Sequence, residues 1–134
     1  MNCEAAIYGI LSGDATLTAL VSTRIYPEAA PQNAANPCIV FSESTPEFND
    51  NKSGVSHLDV NLVQVDVYAS TISVRNTIGA RIRTLLDRYS GTVNSINVQS
   101  MQMVYSYKTW EFENDKEDKK IYRQTFDFKV RQIV

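Results

Sequence analysis

IYRQTFDFKVRQIV, residues 121–134, alternates with a period of two. Tyr122, Phe126, Phe128, Val130 and Val134 fall on one parity; Arg123, Thr125, Asp127, Lys129 and Arg131 fall on the other. Successive side chains on a strand point to opposite faces, so this pattern specifies a long strand with one apolar face and one charged face. Such a strand must bury one face and show the other to water or to another subunit. Just before it, Glu111–Lys120 is a run of mixed acidic and basic residues. A long strand beside a charged hairpin tip points to a building block rather than a catalytic pocket.

Working back along the chain, Ile96 and Val98 begin another strand, and Met101, Met103, Tyr105 and Tyr107 continue it on the opposite parity, which signals a bulge. Before that, Val74, Ile78, Ile82, Leu85 and Tyr89 recur at helical spacing. Arg75, Arg81, Arg83 and Arg88 lie mostly off this stripe. Ser70 or Thr71 opens the helix, and Gly91 is expected to supply its left-handed cap. His57–Ala69 is a long strand whose apolar parity changes between Leu62 and Val63. The change predicts either a bulge or a strand that passes from one neighbour to another there. Thr45–Gly54 is expected to be a polar loop, Cys38–Ser44 a strand, and Glu28–Pro37 a loop. Near the start, Asn2 is expected to cap a helix with Ala5, Ala6, Ile7, Ile10 and Leu11 as its apolar side. Asp14 caps a shorter one anchored by Leu17, Leu20 and Val21, and Arg24–Pro27 is extended. The whole is an α+β fold: an antiparallel or mixed β-sheet with long strands, packed by helices on one face, in a single domain over residues 1–134.

A chain of 134 residues with 43% hydrophobic and 21% charged residues can bury one core. The net charge of -2 offers no general attraction to nucleic acid or anionic lipid. No apolar run approaches the roughly 20 residues of a membrane span, and no secretory signal is expected, so no membrane partner is expected either. Cys3 and Cys38 have no metal-ligand spacing, and Cys38 sits in an apolar stretch as a small buried hydrophobe.

His57 is the one histidine, and its neighbours Ser56 and Asp59 cannot form a triad with it along a strand whose faces alternate. Glycine-rich phosphate loops and paired-cysteine motifs are missing from the sequence. The acidic run after Trp110 lacks the ligand spacing and central glycine of a calcium loop and is interleaved with lysines, so it is expected to be a solvated hairpin tip. These patterns predict no catalytic residue, no metal, no cofactor and no small-molecule substrate. The helix arginines lack interleaved aromatics for base stacking and fit pairing across a subunit interface better than nucleic-acid binding.

With these residues placed, the chain resembles the tail-completion (tail-terminator) proteins of long-tailed bacteriophages and prophages. The resemblance is carried by LTALVSTRIYPEAAP (residues 17–31), PCIVF (37–41), VQVDVYAS (63–70) followed by the helix with Ile78, Ile82 and Leu85, and YRQTFDFKV (122–130), in that order. Ser22 and Thr23 depart from it, standing where the family usually has a glycine before the arginine. The resemblance implies a non-enzymatic structural subunit that forms a ring, a hexamer, on the head-proximal end of the tail tube. There the ring ends tail elongation and provides the surface for head–tail joining. The implied partners are further copies of itself, the tail-tube protein and a head-connector or neck protein, with DNA only as passing cargo. The implied location is the virion tail, after assembly in the bacterial host cytoplasm. A neck, head-closure or other minor tail protein is the nearest alternative, and a small α+β enzyme a more distant one. Ring closure brings different patches of two copies together. The candidate assembly surface therefore joins the acidic Glu111, Glu113, Glu117 and Asp118 to the basic Arg123, Lys129, Arg131, Arg81 and Arg88.

Overall fold

The computed structural model describes residues 3–31, 35–43, 47–51, 54–112 and 119–133. Helix α1 (Glu4–Ser12) opens at Cys3, whose carbonyl accepts from the Ala6 and Ile7 amides. The cap expected at Asn2 lies outside the described residues. Helix α2 (Ala15–Val21) has the cap its sequence specifies: Asp14 Oδ2 accepts from the Leu17 amide at 3.0 Å. Strand β1 (Ile25–Pro27) runs parallel to β2 (Cys38–Glu43).

Strand β3 (Glu47–Asn51) lies inside the stretch expected to be wholly loop and pairs with β4 (Gly54–Ala69). Its polar residues hid it, because an edge strand need not carry an apolar alternation. The parity change in β4 is an exchange of neighbours and not a bulge. One edge of β4 meets β3 up to Val60 and then β2 from Val63 onward. Its other edge runs in unbroken register with β7 (Lys120–Ile133) from Leu58 to Ala69.

Helix α3 (Ile72–Leu86) begins at Thr71, whose Oγ1 accepts from the Val74 amide at 3.2 Å. Ile78, Ile82 and Leu86 are fully buried, while Val74, Leu85 and Tyr89 pack against the core's margin. At Gly79 the helix comes down so closely on β7 that an added Cβ would strike the Gln124 amide. The left-handed turn that ends the helix falls on Arg88, at φ 66°, and not on the expected Gly91. The Arg88 amide donates to the Met101 carbonyl at 2.7 Å, so a contact with the sheet fixes the turn. Gly91, at φ 148°, instead opens β5 (Gly91–Val93).

Strand β6 (Ile96–Phe112) shifts register against β7 between Val98 and Ser100, as the parity change predicted, and again between Met103 and Tyr105, which the sequence pattern did not mark. The strands extend to Phe112 and from Lys120, so the charged run is shorter than expected, and its residues 113–118 lie outside the described residues.

The sheet has seven strands in the order β1-β2-β4-β7-β6-β5, with β3 also on β4. It is mixed, and the fold is α+β. Phe126, Phe128 and Val130 of β7, with Val63, Val65 and Val67 of β4, face Ile7, Leu11, Leu17, Ile78 and Ile82 in one core. Two polar residues share that core: Asn61 Nδ2 donates to Gln132 Oε1 at 3.0 Å, and both are fully buried.

Candidate assembly surface

The opposite face of β7, expected to be charged and open, is partly covered. Thr125 is 2% exposed and Asp66 6%. Thr125 Oγ1 donates to Asp66 Oδ1 at 2.6 Å, and Arg123 pairs with the same oxygen while its guanidinium lies over Tyr68. Alternation placed these residues on the right face, but their cross-strand contacts bury them. Desolvation and the nearby Asp66 push the Asp127 carboxyl up.

Each candidate assembly residue has a definite position or falls outside the description. Arg81 forms a two-pronged pair with Asp14, Nε to Oδ2 at 3.0 Å and Nη2 to Oδ1 at 2.6 Å, tying α3 to the cap of α2. The hydrogen bond from Arg81 holds the Asp14 carboxyl below the usual carboxylate range. Arg81 and Arg123 therefore already have carboxylate partners within the chain. Lys129 sits on β7 opposite Leu62 and Gln102. Glu111 is exposed on β6 opposite Ile121, and Glu113, Glu117 and Asp118 lie outside the described residues.

Arg88 and Arg131 come together. They line a groove of about 530 Å³ between the end of α3 and the bulged part of β6. Arg83, absent from the expected surface, lines it too. Helical spacing could not show this, because Arg88 lies beyond the end of α3, in the turn that the Met101 carbonyl fixes.

Two pairs of exposed aromatics, which the sequence pattern did not single out as a surface, stand on opposite faces of β6. Tyr105 and Tyr107 lie with ring centres 5.5 Å apart, and Trp110 and Phe112 meet edge to face at 5.2 Å. Trp110 is 52% exposed, with Lys120 Nζ 4.8 Å from its ring centre. Beyond Met103 the outer edge of β6 has no strand beside it among the described residues.

The cysteines are free and buried. Burial, reinforced by Glu43, pushes the Cys3 thiol up to about 12, which keeps it protonated. Among the described residues no group of three or more His, Cys, Asp or Glu side chains could hold a metal ion. No helix is long and apolar enough to cross a membrane.

An α+β subunit with an open strand edge, exposed aromatics and basic groups on its outer surfaces has the features of an assembly component. The comparisons agree. The fold matches a chain of a structure described as the virion of a native gene transfer agent particle, with a TM-score of 0.68 at 19% identity, over 96% of this chain and 92% of that one. No curated protein is significantly similar in sequence. The model of the family described as tail completion protein gp17 matches residues 5–133, and the chain belongs to that family. It is a structural component of the phage virion tail.

Proposed function

We propose that the protein closes the head-proximal end of the tail tube as a ring of identical subunits, stops elongation, and offers its outer surface to the head connector or neck. The subunit is non-catalytic in this reading, and its partners are further copies, the tube protein and the connector. The observation that carries it is the tail completion family match across nearly the whole chain. Supporting it physically, the open edge of β6 and the aromatics beside it are surfaces that a monomer leaves unused and a neighbour can cover. A ring needs a head-to-tail contact that closes by rotation, and the two sheet edges of this subunit differ in the required way: a three-residue β1 on one side, the long β6 on the other.

Light scattering during gel filtration, alone and with the cognate tube protein, tests the ring. A closed oligomer in either condition is expected; a monomer in both overturns it. Complementation of a deletion in the parent phage tests the role. Loss of the protein should yield over-long tubes or tubes without heads. Normal tails that fail at a later step would sink the termination role.

A further inference from the structure

The chain has seven arginines, and they divide sharply. Arg24 donates to the carbonyls of Pro37 and Leu20. Arg75 binds the Asn76 side chain and the Thr109 carbonyl and lies over Tyr122. Arg81 and Arg123 hold Asp14 and Asp66. The remaining three, Arg83, Arg88 and Arg131, all line the groove between α3 and β6. Among the described residues none of these three guanidinium groups has an ion pair. The one carboxylate lining the groove, Asp87, already accepts from the Met103 amide at 3.1 Å. The groove therefore carries surplus positive charge in a concave setting, which suits a segment with several carboxylates.

We propose that this groove receives the acidic stretch Glu113–Asp118 of a second copy of the chain. The inference rests on the ring reading above and specifies one of its contacts. The stretch holds four carboxylates, Glu113, Asp115, Glu117 and Asp118, against one lysine, Lys116. It cannot fill the groove of its own copy. Ser100 in the groove and Phe112 at the far end of β6 are twelve residues apart on one strand, about 40 Å at the usual rise. By chain length alone, six residues held between Phe112 and Lys119 can extend at most about 12 Å beyond them. The hairpin of β6 and β7 thus acts as an arm that carries negative charge to the next subunit, and the contact is heterologous, as ring closure requires.

Charge exchange tests this. Three variants are compared with wild type by light scattering over a concentration series: R83E/R88E/R131E, E113K/E117K/D118K, and both sets in one chain. Each triple variant should raise the concentration at half-assembly by about tenfold or more while keeping its circular dichroism spectrum. The combined variant should recover most of the loss, which general misfolding cannot mimic. Rising salt should weaken wild-type assembly. Assembly by R83E/R88E/R131E at the wild-type concentration overturns the contact and leaves the ring reading standing. If that variant assembles normally but fails to complement, the groove serves another tail protein, and the self-contact is overturned. A wild-type chain that never assembles overturns the ring reading itself.

Discussion

Asp14 does two jobs with one carboxylate: it caps α2 through the Leu17 amide and holds Arg81 of α3. Asp14→Asn keeps the cap and loses the charge, whereas Asp14→Ala loses both and should cost about 1 kcal/mol more through the cap alone. The carboxyl titrates below its ordinary value of 3.8, so its stabilisation is present above that value and is lost as pH falls through the lower, folded value. Acid unfolding of Asp14→Asn followed by circular dichroism should lack that part of the decline. An identical acid profile for the two proteins would show that the pair contributes nothing. At Asn61 and Gln132 the core holds a single amide contact, with Asn61 Oδ1 and Gln132 Nε2 unpartnered among the described residues. Asn61→Leu alone strands the glutamine and should cost about 1–3 kcal/mol; Asn61→Leu with Gln132→Met should recover most of it. Denaturant melts of the two singles and the double measure this coupling, and simple additivity would refute it.

Among the elements, α3 is the one whose loss the sheet could least absorb. Ile82 is fully buried in the centre of the core, and Ile82→Ala should cost roughly 2–5 kcal/mol in a urea melt. A loss below about 0.5 kcal/mol would mean that the helix packs on another side. This helix and β7 were legible because burial on one face imposes a period that survives in the sequence: Ile78 and Ile82 on one, Phe126, Phe128 and Val130 on the other. The first bulge of β6 showed for the same reason, as a break in that period, while the second, between Met103 and Tyr105, left no break and did not show. Strand β3 left no such mark, since nothing requires an edge strand of polar residues to alternate. The left-handed turn was misplaced on Gly91 because glycine permits positive φ, whereas Arg88 is held there by the Met101 carbonyl, thirteen residues further on, a contact that local sequence could not reveal. The candidate surface was half legible. Charge type could be read, but which arginines are already paired is a fact of three dimensions: Asp14 lies 67 residues from Arg81, and Asp66 lies 57 from Arg123.

For the whole molecule, we propose that residues 1–134 fold as one cooperative unit. The termini support this: α1 and β7 contribute to the same core, which the central β4 and α3 complete. Differential scanning calorimetry of dilute protein should give one transition with calorimetric and van't Hoff enthalpies in agreement. Two resolved transitions would divide the chain. The bare stretch of β6 from Val104 to Phe112 has a separate consequence for the life of the free subunit. A row of unused peptide groups does not discriminate between the strand that belongs beside it and any other extended chain. Among the described residues the two kinks upstream and the charges of Lys108 and Glu111 work against indiscriminate growth along that side. Protein made faster than tails can use it should therefore turn into thioflavin-positive deposits on standing, and solutions that stay clear would show that this backbone is already guarded.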